Sequence, residues 1–533
     1  MKDSLNHLML LLIFSGLISC AEKREEPVQN LAIIPQPAGV IQTDDTFYLN
    51  NKTKIGCSGE LESKAAYLAD FLGTATGFNL EIIEESGKRN VISLSLDSSL
   101  KDLGEEGYKL EVQRKRIDIT AFSESGIFYG MQTLRQLLPV QIESKKIVAE
   151  FHSWTIPCVS LTDHPRFTWR GLMIDCSRTF WSKETIKRYI DLLAFYKMNI
   201  LHLHLVDDQG WRIEIKKYPE LTNLGAFFPE KYDEPAERHG FYTQNDIKEL
   251  VRYALERNVT IIPEIEMPGH VLSALSVFPE LSCGGGPFEI HPFFEGPGIH
   301  EDIYCAGNEE VFRFLESVLD EVIQLFPAEY IHIGGDEAPK DRWEKCPRCQ
   351  RRIMVEGLKD ESELQSWFIG RIEKYINQKG KKLIGWDEIL EGGLSETASV
   401  MYWRGWLTQV PKEVVEQGNN LIMSPTSHCY FDYDYAAIST EKVYEFNPVP
   451  EGLEDSLRHL ILGGQANFWS HIDRTEQGLD KQIFPRILAL SEVLWSPMEV
   501  RSWERFENKL QTHDIILEES GVDSYRKSES NGK

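Results

Sequence analysis

The chain has 533 residues, of which 42% are apolar and 26% are charged, and these are the proportions of a globular protein. Its formal net charge of −26 argues against nucleic acid as a partner, because that binding depends on Lys and Arg to neutralise phosphates. The length exceeds one ordinary domain, although a single α/β barrel can use roughly 250 residues or more.

The N-terminus has the pattern of a targeting segment. Residues 8–18 form an apolar run that is too short to span a bilayer comfortably, and residues 17–20 read Leu-Ile-Ser-Cys, which resembles a bacterial lipobox. We expect residues 1–20 to be a lipoprotein signal peptide with Cys20 lipidated, and residues 21–30 to be a charged tether. An ordinary signal peptide is the alternative. We expect attachment to the bacterial cell envelope through this lipid anchor only, on the periplasmic or the outer-membrane surface.

Residues 31–160 form a first region in which strand and helix patterns mix. Apolar and polar residues alternate in the strand patterns, and apolar residues recur at helical spacing in the others. The predicted strands are 91–96, 108–112 and 117–121, and the predicted helices are 63–72 and 126–138. This region shows no constellation of reactive side chains, so we expect a small α+β domain without the site.

From about residue 161 the pattern changes to short apolar runs that alternate with amphipathic helices. The predicted strands are 171–175, 200–206, 259–265, 330–334, 382–386, 399–403, 420–424 and 460–465. The predicted helices between them include 183–197, 244–257, 309–326, 364–379 and 411–417. Eight βα units predict a (β/α)8 barrel over residues 161–515, with the site at the C-terminal ends of the strands and a tail at 516–533.

Eight cysteines follow the lipobox. Cys283 and Cys305 flank a Gly-rich segment and could close it with a disulfide, since an exported chain meets an oxidising compartment. Cys346 and Cys349 form a lone CxxC without the second pair that a zinc site requires, so we expect a local disulfide or two free thiols, and no metal ligands. The cysteines expected to be small buried side chains are Cys57, Cys158, Cys176 and Cys429.

A polar or aromatic residue follows every predicted barrel strand. In chain order these residues are Asp175 and Arg178, Asp207 and Asp208, Glu266 and His270, Asp336 and Glu337, Trp386 and Asp387, Trp403 and Arg404, Tyr430 and Asp432, and Trp469. Carboxylates within a ring of Trp and Tyr suit a sugar, whose C–H faces stack on aromatic rings and whose hydroxyls bond to acids and Arg. Eight such strand ends together predict a carbohydrate site.

The most informative stretch is residues 330–337, where an apolar strand pattern ends in Gly334 and Gly335 and two carboxylates follow. Glycine allows a sharp turn and a close approach to a ligand. Like charges held close together raise one pKa, which provides a proton donor near neutral pH. Most glycosidases use two well-separated carboxylates, whereas Asp336 and Glu337 are adjacent. An adjacent pair fits a substrate that supplies its own nucleophile.

Six segments that carry these residues resemble a known family. They are RGLMIDCSR at 170–178, HLHLVDDQGW at 202–211, PEIEMPGH at 263–270, HIGGDE at 332–337, GWDE at 385–388 and QANFW at 465–469. Together they resemble glycoside hydrolase family 20, the β-N-acetylhexosaminidases, over about 166–497, and the preceding α+β domain is that family's usual companion. The resemblance implies an exo-acting enzyme that releases terminal β-linked GlcNAc or GalNAc from glycans and needs no cofactor. It leaves the oligomeric state open.

The resemblance also implies a retaining, substrate-assisted mechanism. The 2-acetamido oxygen of the substrate would attack the anomeric carbon and form an oxazolinium-like intermediate. Glu337 would be the general acid and then the base, Asp336 would accept a hydrogen bond from the acetamido N–H, and Tyr430 would donate to the acetamido oxygen. The other residues given a role by the resemblance are Trp386, Trp403 and Trp469 around the acetyl group and the ring, Arg178 at O3 and O4, Asp432 at O4 and O6, and Asp207 with His270 behind the acid.

Two positions depart from the family pattern. Glu266 stands where relatives often have Asp, and its greater length could shift the partner of His270 without changing the chemistry. His471 stands where many relatives carry a Glu that binds O4 and O6. Without that carboxylate, we expect less repulsion toward an anionic group near O6, such as a sulfate, or a relaxed choice between GlcNAc and GalNAc.

Other interpretations stay open. His202 and His204 could hold a metal, as in amidohydrolase-type barrels, although the aromatic ring would then have no role. The chain could also be a non-catalytic glycan-binding lipoprotein, although Asp336 and Glu337 are both intact, or a relative that releases a disaccharide. Salt bridges at the barrel rim or packing would account for Asp175, Asp208, Glu266, Trp211 and Trp406.

Overall fold

The computed structural model describes residues 31–84 and 89–526. It consists of an α+β domain followed by a closed parallel barrel, so the predicted fold class is confirmed. The predicted signal peptide, the tether and Cys20 lie outside the described residues. None of the helices within the described ranges combines the length and the apolar character that a bilayer crossing requires.

The N-terminal domain is a seven-stranded mixed sheet with two helices packed on it. The strands are β1 (Gly39–Tyr48), β2 (Lys54–Cys57), β3 (Glu81–Glu84), β4 (Val91–Leu96), β5 (Tyr108–Gln113), β6 (Arg116–Ala121) and β7 (Thr155–Asp163). The helices are α1 (Glu62–Thr76) and α2 (Glu124–Leu137). The order of the strands across the sheet is β1-β7-β5-β6-β4-β2-β3. The prediction located β4, β5 and β6 and both helices, but not the remaining strands.

Eight parallel strands close the barrel in the order β8-β9-β12-β13-β14-β15-β16-β17. The strands of this domain are β8 (Trp169–Asp175), β9 (Ile200–His204), β10 (Val206–Asp207), β11 (Gly210–Trp211), β12 (Thr260–Glu264), β13 (Tyr330–His332), β14 (Lys382–Trp386), β15 (Ser399–Tyr402), β16 (Leu421–Met423) and β17 (Ile461–Phe468). The two-residue strands β10 and β11 form a hairpin above β9. All eight predicted barrel strands overlap the observed ones.

Helices surround the barrel and connect its strands. They are α3 (Lys183–Phe195), α4 (Glu220–Asn223), α5 (Gln244–Leu255), α6 (Leu272–Leu275), α7 (Glu309–Leu325), α8 (Asp341–Lys345), α9 (Pro347–Glu356), α10 (Glu361–Gln378), α11 (Val410–Glu416), α12 (Thr440–Tyr444), α13 (Glu476–Ile483), α14 (Arg486–Trp495) and α15 (Trp503–Glu519). The predicted domain boundary after residue 160 falls within β7, and the predicted tail begins within α15. Each of these elements continues past the predicted boundary, because apolar residues beyond it are buried, among them Leu161 in β7 and Leu517 in α15.

The barrel interior has an apolar layer and a polar layer. The apolar cluster consists of Trp169, Ile200, Ile262, Ala328, Ile384, Trp386, Met401 and Ile422. In the polar layer, Glu264 accepts a hydrogen bond from Trp386 Nε1 at 2.8 Å. Ring nitrogens of His204, His332 and His202 lie 2.5, 2.9 and 3.1 Å from the same carboxylate. This layer fixes Trp386 from below, at the floor of the site.

The disulfide considered between Cys283 and Cys305 is not formed, since both are free thiols, and of the two expectations for Cys346 and Cys349 the structure has the free thiols. The premise that this CxxC lacks a second pair is wrong. Cys346 and Cys349 do have a second pair, because Cys283 and Cys305 lie beside them and all four sulfur atoms fall within 4.8 Å of one another. The fold brings the loop before α7 against the start of α9, a contact between segments far apart in sequence. The four cysteines predicted to be small buried side chains are buried.

Candidate active site

The turn after β13 places the two adjacent acids at the mouth of the barrel. Gly334 and Gly335 have φ values of 66° and 97°, and Glu337 itself has a φ of 45°, a conformation that side chains seldom adopt. A Cβ atom on Gly334 would lie 1.7 Å from Oε2 of Glu266, so only glycine fits above that side chain. Backbone strain of this kind occurs where function fixes a side chain.

Asp336 and Glu337 lie in different surroundings. The side chain of Asp336 is 12% exposed and that of Glu337 is 34% exposed. Burial, together with the negative charges of Glu264 and Glu337, raises the pKa of Asp336 to about 6 in spite of His270 nearby. Oδ1 of Asp336 is buried and has no hydrogen-bond partner in the described part of the chain. Asp336 is therefore an acceptor available to a ligand N–H.

His270 connects the acid pair to a second pair of carboxylates. Its Nε2 lies 3.4 Å from Glu337 and 3.9 Å from Asp336. Its Nδ1 lies 3.1 Å from Asp208 and 3.3 Å from Asp207. Burial opposes a charge on this ring, but Asp207 and the hydrogen bonds to Asp208 and Glu337 raise the pKa of His270 well above its usual value. The structure thus places a charged imidazolium beside the candidate acid.

Arg178 and Asp207 form a buried ion pair with an N–O distance of 2.7 Å. His204 Nε2 lies 2.8 Å from the same Asp207 oxygen. Burial opposes the negative charge of Asp207, but Arg178 and His270 hold the pKa of Asp207 well below its usual range. Nε of Arg178 has no hydrogen-bond partner among the described residues. The pair therefore fixes a guanidinium that keeps a donor for a ligand hydroxyl.

Aromatic side chains enclose the space beside Asp336. The Trp403 and Tyr430 rings stack with centroids 6.1 Å apart, and Trp469 lies 6.5 Å from Tyr430 and 6.0 Å from Trp386. Trp403 Nε1 donates a hydrogen bond of 2.8 Å to Glu388, which fixes the ring. The predicted wall of three Trp and one Tyr therefore forms one continuous surface.

Asp432 and His471 complete the predicted set. Burial raises the pKa of Asp432 to about 7, and its Oδ1 has no partner among the described residues. Burial, followed by the positive charge of Arg178, lowers the pKa of His471. Nδ1 of His471 is likewise buried without a partner within the described ranges. Both side chains thus present polar atoms that a bound ligand could satisfy.

Two of the acids attributed to the barrel rim accept backbone hydrogen bonds. Asp208 accepts a hydrogen bond from the Leu272 backbone N–H at 3.0 Å, so it positions the loop of His270 and does more than bridge charges at the rim. Asp175 accepts backbone N–H bonds from Ser177 and Ser470, as a structural residue does.

The two tryptophans that were interpreted as packing residues differ from each other. Trp211 is fully buried, as expected for a packing residue. Trp406 is 62% exposed and lies edge-on to Trp403 at 5.3 Å, so the interpretation of Trp406 as a packing residue is wrong.

Glu264 was missed altogether. It is two residues before Glu266, and His202 is two residues before His204. Residues at that spacing point to the same side of a strand, which is the signal that could have placed these four inside the barrel together.

Comparisons with known proteins agree with this geometry. Residues 167–498 match the family model described as glycosyl hydrolase family 20, catalytic domain, and residues 30–164 match domain 2 of the same family. A Beta-hexosaminidase of Porphyromonas gingivalis is 41% identical over an alignment of 528 positions that covers 95% of this chain and 66% of the relative. One of Akkermansia muciniphila is 33% identical over 84% of this chain and 90% of its own length.

Solved structures are similar over nearly the whole chain. The beta-N-acetylhexosaminidase of Bacteroides fragilis has a TM-score of 0.82 at 32% identity, covering 94% of this chain and 98% of its own. The Exo beta-N-Acetylglucosaminidase of Vibrio harveyi, solved in complex with N-acetylglucosamine, has a TM-score of 0.83 at 31% identity over 93% and 79% of the two chains.

Proposed function

The chain belongs to glycosyl hydrolase family 20, and we propose that it is an exo-acting β-N-acetylhexosaminidase that removes terminal β-linked GlcNAc or GalNAc from glycans. The observation that carries the proposal is the different placement of two adjacent acids. Asp336 is buried near Tyr430, whereas Glu337 is more exposed and lies beside His270. This division suits a reaction in which one acid transfers a proton and the other orients part of the substrate.

In the proposed mechanism the substrate supplies the nucleophile. Ionised Asp336 accepts a hydrogen bond from the acetamido N–H, while the Tyr430 hydroxyl donates to the acetamido oxygen. The oxygen then attacks the anomeric carbon as the glycosidic C–O bond breaks, which forms an oxazolinium ion with its positive charge next to Asp336. Holding a reacting group in position in this way can contribute roughly 7–11 kcal/mol to an intramolecular attack.

Glu337 handles the proton in both steps. It donates a proton to the leaving glycosidic oxygen and later removes one from the water that opens the oxazolinium ring. Two inversions at the anomeric carbon give net retention. The His270 ring, held by Asp207 and Asp208 at Nδ1, lies 3.4 Å from Glu337 through Nε2 and would position the carboxyl group of the acid in both steps.

The remaining predicted residues would bind the sugar. Arg178 and Asp432 present buried polar atoms without partners in the described chain, which suits hydroxyls of a terminal ring. The wall of Trp386, Trp403 and Trp469 suits the acetyl methyl group and the apolar face of the pyranose. A site that encloses the sugar ring in this way suits the terminal residue of a glycan.

Rates on aryl β-glycosides test the proposal. We expect hydrolysis of aryl β-GlcNAc and β-GalNAc, and a drop of kcat/KM by several orders of magnitude for aryl β-glucoside, which lacks the amide. Glu337→Gln should lower kcat about 100- to 10,000-fold, the range for a general acid. Asp336→Asn should lower it about 100- to 1,000-fold, as loss of an electrostatic stabiliser does.

The control is Glu344→Gln, an exposed acid on the nearby helix α8, which should keep the parent rate. Equal rates on the glucoside and the GlcNAc substrate would refute the substrate-assisted mechanism. Binding of the GlcNAc substrate without any hydrolysis would refute the enzymatic proposal itself.

We further propose that the site accepts a 6-O-sulfated GlcNAc. His471 occupies a position without negative charge next to Arg178, and neighbouring Asp432 has a pKa raised by burial to about 7, so it is partly neutral. Turnover of 6-sulfated and plain aryl β-GlcNAc should therefore be comparable. His471→Glu should lower kcat/KM for the sulfated substrate selectively, and an unchanged ratio would remove the proposal.

For the location we propose the cell envelope, with a lipid on Cys20 as the membrane attachment. The support is the lipobox-like sequence alone. Cys20→Ser should release the protein from the membrane fraction of a bacterial host and abolish labelling by a radioactive fatty acid. A Cys20→Ser variant that stays in the membrane fraction and is still labelled by the fatty acid would contradict the proposal.

A further inference from the structure

Four cysteine side chains from three separate segments meet in one cluster, which we call the thiol cluster: Cys283, Cys305, Cys346 and Cys349. Sγ of Cys349 lies 3.7 Å from that of Cys283 and 3.6 Å from that of Cys305, and Sγ of Cys305 lies 3.8 Å from that of Cys346. All four ligand atoms lie within 4.8 Å of one another, and only Cys283 is partly exposed.

These separations match the edges of a tetrahedral metal site. A zinc ion at about 2.3 Å from four sulfur atoms places those atoms about 3.8 Å apart. A disulfide requires an S–S distance of about 2.05 Å, which each of the three measured pairs exceeds by far. Each of these four residues supplies one ligand atom, so the coordination sphere would be complete without water.

The backbone around the thiol cluster is shaped to bring the segments together. The backbone N–H of Cys305 donates to the Leu281 carbonyl at 2.9 Å, and Ser282 pairs with Tyr304 in an antiparallel bridge, which aligns the segments of Cys283 and Cys305. A Cβ atom on Gly307 would lie 2.2 Å from the Arg348 carbonyl carbon. Glycine at 307 therefore allows the start of α9 to approach.

The cluster also has the electrostatic support that thiolates need. Cys346 occupies the N-cap position of α9 and Cys349 lies in its first turn, where the helix dipole favours negative charge. The backbone N–H of Gly307 donates to the Cys305 sulfur, and the Arg348 guanidinium bonds to Cys346. Donors of this kind in the outer shell stabilise bound metal thiolates.

We propose that the thiol cluster binds one zinc ion as a closed, structural site with four cysteine ligands. A tetrahedral set of four sulfur ligands is typical of zinc or iron, and a closed set with no free position suits a structural zinc ion. Binding displaces the four thiol protons and leaves a net charge of −2, which Arg348 partly offsets.

The zinc ion would position the catalytic loops. The Tyr304 backbone, next to Cys305, donates to the Pro268 carbonyl at 3.0 Å and accepts from Trp343 Nε1 at 2.9 Å. Pro268 lies two residues before His270, and Trp343 lies on the segment between Glu337 and Cys346. The metal thus ties the loop of His270 to the loop of Glu337 at a point outside the site itself.

Metal analysis of the full chain, purified in a reducing buffer without chelator, tests the proposal. Elemental analysis should give one zinc per chain, and Cys283→Ser and Cys349→Ser should each reduce it at least tenfold. Cys57→Ser, a buried cysteine of the N-terminal domain, is the matched control and should keep the metal. Exchange with Co²⁺ should give the absorption of thiolate-to-cobalt charge transfer and tetrahedral d–d bands, a readout independent of activity.

Several outcomes would overturn the zinc site. Iron in place of zinc, four free thiols without metal in the folded chain, or two disulfides resistant to alkylation would each do so. The positioning role predicts that slow removal of zinc by a chelator lowers the melting temperature and lowers kcat more than it changes KM. A metal-free chain with unchanged melting temperature and kcat would refute that role even if the zinc stoichiometry holds.

Discussion

Glu266 is a carboxyl group that the barrel holds in its neutral form. Burial, with the negative charges of Asp336 and Glu264, raises the pKa of Glu266 well above its ordinary 4.5. The folded pKa thus exceeds the unfolded one, so the stability linked to this proton is complete below pH 4.5 and is lost as pH rises through the folded pKa. Glu266→Gln keeps the shape of the side chain. It also removes the loss of stability at high pH, because an amide does not ionise.

We therefore expect Glu266→Gln to raise the melting temperature at pH 8 and to leave it almost unchanged at pH 5, as measured by calorimetry. The matched control is Glu264→Gln. Burial opposes the charge of Glu264, but the surrounding imidazoles hold its pKa well below the usual range, so its stabilisation is present at neutral pH. Glu264→Gln should lower the melting temperature at pH 8. The same sign for both variants at pH 8 would contradict this assignment of charges.

At the scale of elements, the turn after β13 (Tyr330–His332) determines where both acids lie. Gly334→Ala introduces a Cβ atom 1.7 Å from Glu266 and imposes a φ of 66° on alanine. We expect a loss of about 1–3 kcal/mol in the free energy of unfolding, together with a lower kcat, because the turn must shift. Gly357→Ala is the control, since it has a similar φ of 72° with open space around its Cβ.

If Gly334→Ala loses no more activity and stability than Gly357→Ala, the close contact with Glu266 has no consequence. The comparison separates the cost of the left-handed backbone, which both variants share, from the cost of the contact, which only Gly334→Ala has. Urea unfolding and kcat on an aryl β-GlcNAc measure the two effects.

Elements were predictable where one signal decided them. The eight barrel strands were found because each is a short apolar run followed by a polar or aromatic residue, and burial on both faces produces such a run. The short strands β2 and β3 were not found, since four residues carry too little periodicity.

The thiol cluster was not predictable for a different reason. Cys283 and Cys305 are separated from Cys346 by tens of residues, and only the packing of α9 against the loop before α7 brings them together. Sequence spacing can identify metal ligands only when they are close together along the chain.

At the scale of the whole molecule, the two ends of the barrel have different tasks. The C-terminal strand ends hold the candidate acids, whereas the opposite end rests on the N-terminal domain. Arg170 at the start of β8 makes a bidentate ion pair with Glu106 at 2.7 and 2.8 Å. Lys197, just before β9, pairs with Asp163 at 2.8 Å, and both side chains are fully buried. In (β/α)8 barrels, residues at that end serve stability.

Lys197→Met should therefore destabilise the protein without altering catalysis. Asp163 also accepts hydrogen bonds from Tyr108 and Trp495, so the carboxylate stays in place and loses the cation that balances it. Removing one partner of a buried pair costs about 3–5 kcal/mol. The control is Lys54→Met, which breaks an exposed ion pair with Glu81 within the N-terminal domain and should cost less than about 1 kcal/mol.

Thermal and urea unfolding of both variants measure the difference, and kcat and KM of the Lys197→Met chain are taken well below its melting temperature. We expect those constants to match the parent's, because the substitution lies at the end of the barrel remote from Glu337. A fall in kcat at a temperature where the chain is fully folded would show that the two ends are coupled. A loss of stability no larger than that of Lys54→Met would show that the buried pair does not hold the two domains together.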